Sequence, residues 1–149
     1  SSTSRGLGDV YKRQIKNGIV LDHITAGKSL EVYKALGLDK LDCSVAIIKN
    51  VKSNKMGKKD ILKIDEEFTL DFDVLGYLDP NITVCIIKDG KLVEKKKLQL
   101  PQKIINVEKC KNPRCITSVE QGLDHVFYLA NEEKRIYRCL YCETKVEKK

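Results

Sequence analysis

Between residues 15 and 100, apolar positions switch between a spacing of two and a spacing of three to four. "IKNGIVLDHIT" (15–25) is strand-like and rich in β-branched residues, and "AGKSLEVYKALGL" (26–38) reads as a helix. In that helix Leu30, Tyr33 and Leu36 recur at intervals of three, and Gly37 stands near its end as a C-cap. "CSVAIIKNV" (43–51) and "DILKI" (60–64) are further strands, joined by the turn-rich "SNKMGKK" (53–59). Thr69 is placed to cap a short helix, "LDFDVLGYLD" (70–79), with acidic residues in its first turn as the helix dipole favours. Leu70, Val74 and Leu78 supply its apolar stripe, and Pro80 with Asn81 ends it. "ITVCII", "KDGK" and "LVEKKKLQL" then make a β-hairpin. The order βαββαββ predicts an α+β fold, an antiparallel sheet with both helices on one face.

The pattern breaks at Pro101. Beyond it lie four paired cysteines and no convincing helix, which makes residues 101–149 a second, small all-β unit. Units of this size often need a staple. Residues 1–14, "SSTSRGLGDVYKRQ", are Ser/Gly-rich without periodicity. They resemble translated adapter read-through, the alternative being a native arm, and they do not enter the fold reasoning. The expected organisation is therefore an N-terminal domain over 15–100 and a second over 101–149.

Composition narrows the classes. A hydrophobic fraction of 42% allows a real core. No apolar run approaches the roughly 18 residues of a membrane span, and no signal peptide is visible. A soluble, cytoplasmic chain without a membrane partner is expected. The net charge of +7 raises the question of nucleic acid. Yet residues 15–100 hold fifteen basic and thirteen acidic groups, and residues 101–149 hold ten and seven. Charge this dispersed argues against a phosphate-backbone footprint, which clusters its cations.

Cys110 and Cys115 form C-x4-C, Cys139 and Cys142 form C-x2-C, and 23 residues separate the pairs. In a reducing compartment such pairs read first as a metal or redox site. A redox C-x2-C usually opens a helix after a strand, whereas Cys139 and Cys142 follow the strand-like "RIYRC". Two short knuckles delivering four thiolates suit tetrahedral zinc. With every position filled by cysteine the site is closed and structural, against the alternatives of free thiols or disulfides. Binding of this kind contributes on the order of 10 kcal/mol to folding. Cys43 and Cys85 lie in apolar strands and read as buried, inert side chains.

The strand "GIVLDHI", then "MGKKDILKI", then "LVEKKKLQLP" leading into C-x4-C…C-x2-C, is similar to the regulatory chain of aspartate carbamoyltransferase over about residues 15–145. The resemblance implies a chain with no catalytic residues. It implies an N-terminal domain that binds CTP, with UTP, as inhibitor and ATP as activator. It implies a zinc domain that docks on the catalytic chain, and regulatory homodimers that bridge catalytic trimers. Carried over by position, Asp22, Lys63 and Lys95 contact ribose and phosphates, His23 lies beside the phosphates, Lys59 serves a neighbouring nucleotide, and Ile15 and Val20 flank the base. The chain departs from the family at three places. Lys12, Arg13 and Gln14 replace a Val-x-Ala stretch, Cys85 replaces an Asn near the base, and a Glu-Pro is missing from "CITSVEQGLDHVF".

The residues bear on this independently. A strand period of two puts Lys59, Ile61 and Lys63 on one face of "KKDILKI", with Asp60, Leu62 and Ile64 on the other. Two ammonium groups on one face suit a triphosphate, although a lone strand lysine is usually just solvated. Asp22 can accept from ribose hydroxyls, but His23 points to the opposite face of a regular strand. A bend is needed for both to reach one ligand. The second reading is a zinc-ribbon nucleic-acid-binding protein. It sits poorly with a C-x4-C first knuckle and the absence of Trp. An enzyme is the weakest reading: His23 and His125 are the only histidines, and no nucleophile–His–carboxylate set or phosphate-binding Gly loop is present.

Overall fold

The structure, a computed structural model, describes residues 16–67 and 69–146. The expectations for residues 1–14 and for Ile15 lie outside the described residues. The chain divides into two compact units between Leu98 and Gln99.

The first unit runs β1 (Gly18–Thr25), α1 (Ser29–Ala35), a 3-10 turn (Leu38–Lys40), β2 (Val45–Ser53), β3 (Gly57–Ile64), α2 (Phe72–Leu78), β4 (Thr83–Lys88) and β5 (Lys91–Lys97). All pairings are antiparallel and the sheet order is β2-β3-β1-β4-β5, so β1 is central. Strand parity sorts the side chains. Ile19, Leu21, Leu62, Ile64 and Val84 share a cluster with Val32 of α1 and Leu75 of α2, so both helices cover one face. Val20, Ile61, Cys85 and Ile87 form a separate cluster on the other face. Asp89 and Gly90, both at positive φ, close the β4–β5 hairpin in two residues, matching the twist of the strands.

Both helices differ in detail from the periodicity reading. In α1, Val32 is buried and Tyr33 and Leu36 pack against the core, while Leu30 is exposed. The stripe is therefore displaced from the spacing of three that includes Leu30. Gly37 follows at φ 67, the left-handed position that ends a helix without a Cβ penalty. The second helix is capped by Asp71, not Thr69: the Asp71 carboxylate accepts from the amides of Asp73 and Val74. It is shorter than expected, and its buried apolar residues are Leu75 and Tyr77 in place of Val74 and Leu78.

Two buried carboxylates tie loops to this sheet. Asp60 is fully buried, and accepts from the amides of Gly27 and Asn50, each at 3.0 Å. Asp79 is likewise buried and accepts from Thr25 at 2.7 Å and Asn81 at 3.0 Å. The second unit holds β6 (Lys103–Ile105), β7 (Val126–Asn131) and β8 (Ile136–Cys139) in one antiparallel sheet, plus a single helical turn, α3 (Ile116–Val119), that periodicity did not show. Its large buried side chains are Ile104, Phe127 and Tyr137, and the Tyr137 hydroxyl donates to the Pro101 carbonyl. Among the described residues no helix is long and apolar enough to cross a membrane.

Burial pushes the Asp60 carboxyl upward, but the Asn50 amide, with Ser29 and the Gly27 amide, outweighs it and holds the group below its ordinary value of 3.8. A depressed folded value means that the carboxylate stabilises the fold above about pH 4 and that this contribution fades as pH falls through the acid range. Asp60→Ala takes the acceptor from the Gly27 and Asn50 amides and leaves a cavity in its place, and is expected to cost about 2–4 kcal/mol in denaturant unfolding. Asp60→Asn should additionally flatten the acid limb of stability against pH.

Candidate functional site

The central strand is not regular. Its pairing with β3 slips between Leu21 and Ile24, and His23 has φ 58. This bulge is the bend that lets neighbours in sequence reach one region. The Asp22 carboxylate accepts from the His23 amide at 2.7 Å, and Lys59 Nζ lies 2.9 Å from Asp22 Oδ1. His23 Nδ1 sits 3.9 Å from Asp22 Oδ2 and 3.2 Å from Thr83 Oγ1. Asp22, His23 and Lys59 are thus brought together at one end of the sheet.

Lys63 and Lys95 reach the same face by register. Lys63 pairs with Val20, Val20 with Cys85, and Cys85 with Lys95, forming one row across four strands. Neighbouring strands lie about 4.8 Å apart, so the two lysine backbones are about 14 Å from each other. Val20 and Cys85, between them, are buried in the cluster opposite the helices. Ile15 is outside the described residues.

The electrostatics of the bulge are one-sided. Burial raises the Asp22 carboxyl, but the hydrogen bonds from Lys59 and the His23 amide pull it below its ordinary range. Burial lowers His23; Asp22 opposes this, while Lys59, Lys55 and Lys95 reinforce it. His23 is therefore neutral at pH 7, in a field set by three lysines. Sequence reasoning missed part of this set. Lys55, Asn81, Thr83 and Lys97 join His23 around a cleft of about 130 Å³, several times the roughly 30 Å³ of one water. Lys55 lies in the β2–β3 turn and Lys97 ends β5, so only the fold makes them neighbours.

The second unit gathers the four expected cysteines. The Sγ atoms of Cys110, Cys115, Cys139 and Cys142 all lie within 4.8 Å of one another. Cys110–Cys142 is 3.5 Å and Cys115–Cys139 is 3.7 Å, each sulfur meeting one from the other knuckle. Zn–S bonds near 2.3 Å in a tetrahedron give sulfur–sulfur edges of about 3.8 Å. The cluster fits that geometry, and four soft thiolates with no oxygen or nitrogen donor suit zinc. Local backbone shapes the knuckles. Glu143 takes φ 63 directly after Cys142, and its amide donates to the Cys139 carbonyl at 2.9 Å. In the first knuckle, Asn112 Oδ1 accepts from the Arg114 amide at 3.0 Å. The His125 ring accepts from the Cys110 amide at 3.3 Å through Nδ1, so its proton sits on Nε2.

Without a cation these sulfurs compete for protons. Burial pushes the Cys110 and Cys139 thiols up, while Cys142, against the push of burial, is drawn down by Thr144. A divalent metal removes the conflict by stabilising all four as thiolates. The four cysteines are clustered for a metal ion, consistent with one structural zinc.

Chelation at neutral pH is expected to unfold residues 101–146 while the five-stranded sheet persists. Cys139→Ala should do the same without chelator. Elemental analysis and amide hydrogen exchange, region by region, check both, and sustained protection of β6–β8 in zinc-free protein is the contrary result.

Comparison with known proteins bears on both units. The family described as "Aspartate carbamoyltransferase regulatory chain, allosteric domain" matches residues 12–99, and "Aspartate carbamoyltransferase regulatory chain, metal binding domain" matches residues 102–149. The aspartate carbamoyltransferase regulatory chain of Clostridium botulinum is 53% identical over 129 residues, 87% of this chain and 88% of that protein. That of Clostridium tetani is 52% identical over 130 residues, covering 87% and 90%. That of Bifidobacterium longum is 43% identical over 129 residues, covering 87% and 93%. These matches span both units, and a zinc-ribbon nucleic-acid protein is not favoured. The chain belongs to the aspartate carbamoyltransferase regulatory chain family.

Proposed function

We propose that this chain binds nucleotide effectors on the sheet face opposite the helices and passes their binding to catalytic chains of aspartate carbamoyltransferase, without catalytic residues of its own. CTP, with UTP, would inhibit and ATP would activate. Regulatory chains would pair as homodimers that bridge catalytic trimers, in the cytoplasm, with the zinc unit docking on the catalytic chain.

One observation carries the reading: Lys55, Lys59, Lys95 and Lys97 gather around His23 beside a cleft, with Asp22 held by Lys59. Cations concentrated about so little negative charge call for a polyanion. A nucleoside triphosphate matches the layout. Its phosphates meet His23 and the lysines, its ribose hydroxyls donate to Asp22, and its sugar and base lie along the row that ends at Lys63. Asp22 is already engaged by Lys59, so a ribose must share or displace that ammonium. Lys59 is then free to turn toward phosphate.

Lys63→Ala and Lys95→Ala should each weaken nucleotide binding by about tenfold or more, the effect of losing one charge-assisted hydrogen bond. Isothermal calorimetry with CTP and ATP measures this, and unchanged affinity in both variants places the site elsewhere. Cys85 offers a poor hydrogen-bond partner, so discrimination between the two bases should be small.

His23 gives a pH signature. The free site holds its pKa below the ordinary 6.5, whereas bound phosphates favour the protonated ring. The complex then binds more protons than the free chain, so affinity should rise as pH falls from 7.5 toward 6. Part of any slope comes from the phosphate itself, and the difference between native chain and His23→Asn isolates the imidazole. Equal slopes in the two exclude His23 from the phosphate contact.

Coupling to catalysis has a reciprocal test. An effector shifts an equilibrium only through differential affinity for two states, typically about 1–3 kcal/mol. In the assembled complex, filling the active sites with a bisubstrate analogue should change nucleotide affinity by the factor that nucleotide imposes on substrate. Nucleotide affinity that is indifferent to active-site occupancy would make the chain a scaffold.

A further inference from the structure

Each of the four sulfurs has hydrogen-bonding groups of its own knuckle beside it. Cys110 and Cys139, the first of each pair, receive backbone amides from their own knuckles: Asn112 for Cys110, and Tyr141 with Cys142 for Cys139. Cys115 and Cys142, the second of each pair, each have a threonine hydroxyl, and Cys142 also receives the Thr144 amide and the Asn112 side chain. Thr117 Oγ1 is 3.1 Å from Cys115 Sγ, and Thr144 Oγ1 is 3.1 Å from Cys142 Sγ. Each threonine follows its cysteine by two residues, so both knuckles end in Cys-x-Thr.

Thr144 has a second partner, and it comes from the other knuckle. Asn112 Nδ2 donates to Thr144 Oγ1 at 3.3 Å. Asn112 is held in place for this. Besides the Arg114 bond, its carbonyl accepts from the Cys115 amide at 3.1 Å and from Ser118 Oγ at 2.7 Å. With Oδ1 occupied by the Arg114 amide, the nitrogen end of the side chain must face Thr144 and Cys142.

We propose that Thr117 and Thr144 are positioning residues for the metal, each donating its hydroxyl proton to one metal-bound thiolate, and that Asn112 clasps the two knuckles together through Thr144. This rests on the metal reading of the four cysteines and not on the nucleotide reading.

The chemistry follows from donor counts. A metal-bound thiolate has no proton and can only accept. Four thiolates around a divalent ion leave a net dianion, and Cys110, Cys115 and Cys139 are buried. Buried charge needs hydrogen-bond donors aimed at it. A threonine hydroxyl has one proton and two lone pairs. When Asn112 donates to a lone pair of Thr144, the proton is left for Cys142 sulfur. The Asn112–Thr144–Cys142 chain therefore has one polarity once metal is bound, and each bond polarises the next. Thr117 is itself buried, so water is poorly placed to replace its hydroxyl at Cys115.

The test uses the full chain and its valine variants. Valine keeps the branched shape of threonine and deletes the hydroxyl. Zinc affinity is read by competition with a chromogenic chelator, and the sulfur-to-metal charge-transfer band is read after cobalt substitution. Thr144→Val and Thr117→Val should each weaken zinc binding by about 10–100-fold, the usual effect of removing an outer partner of a ligand. The cobalt band should move to lower energy, because a thiolate without its donor gives up charge more readily. Thr144→Ser should restore both. A packing role predicts the reverse order, with valine tolerated and serine costly, and that result overturns the proposal. Should Thr144→Val fail to fold, Thr117→Val reads the same quantity in the other knuckle. Asn112→Ala and Thr144→Val should be non-additive, whereas Asn112→Ala and Thr117→Val should add. Additivity in the first pair removes the clasp. If the native chain binds neither zinc nor cobalt, the metal reading itself fails, and this proposal with it.

Discussion

One extra residue in the central strand sets the geometry of the first unit. β1 pairs with β3 on one side and β4 on the other, and it carries Asp22 and His23 of the candidate site. Up to Leu21 the strand is regular, with Ile19 and Leu21 toward the helices and Val20 in the opposite cluster. At His23 the backbone takes φ 58 and the pairing slips. Without the slip His23 would share the helix-covered face of Leu21, where an imidazole would be desolvated without a partner. With it, Ile24 returns to the helix-side cluster while Asp22 and His23 stay together at the strand end. A non-glycine residue at positive φ is strained, and such strain persists where surrounding bonds over-determine it. Here the Asp22 carboxylate on the His23 amide, and Asp79 on the Thr25 amide, supply those bonds.

The second unit solves a different problem. Ile104, Phe127 and Tyr137 are its largest fully buried side chains, and burying such a side chain is worth roughly 1.5–3 kcal/mol. A metal bound by both knuckles reinforces so small a core, because its binding free energy is folding free energy. The sulfur pairing shows why the arrangement is cooperative. Cys110 meets Cys142 and Cys115 meets Cys139, so neither knuckle completes the cluster alone.

Much of this was legible in the residues, and the failures have physical causes. Strand parity was readable because one face of the sheet is covered by helices, so a slip of one residue would invert Leu62 and Ile61. Cysteine spacing was readable because short knuckles constrain sulfur positions locally. The cap of α2 was misplaced because Thr69 and Asp71 both precede the apolar run, and only the backbone decides which carboxylate or hydroxyl meets the first amides. The exposed Leu30 was misread because a seven-residue helix offers too few turns for its period to be unambiguous. Lys55, Thr83 and Lys97 were missed because they come from a turn, the start of one strand and the end of another. Nothing in local sequence separates them from solvated residues. The buried Asp60 was seen only as the far face of its strand, since its partners Gly27 and Asn50 are distant in the chain.

The two sites hold opposite charge imbalances, and the difference distinguishes the proposed effector site from a staple. Around His23 the excess is cationic, partly exposed and carried on long side chains that can relax into water. Such a site is viable empty, and an anion adds stability only as its concentration exceeds its dissociation constant, about 2.7 kcal/mol at a hundredfold excess. Around the cysteines the excess is anionic once metal is bound, and it is enclosed by buried sulfur and fixed hydroxyls. Emptying that site leaves thiols whose proton affinities pull apart and a sheet with too little core. Occupancy of the first can follow a fluctuating metabolite, while occupancy of the second must be constant for the fold to exist. The proposed function needs both, since a shift in the first unit can be read only against a second unit that does not itself come apart.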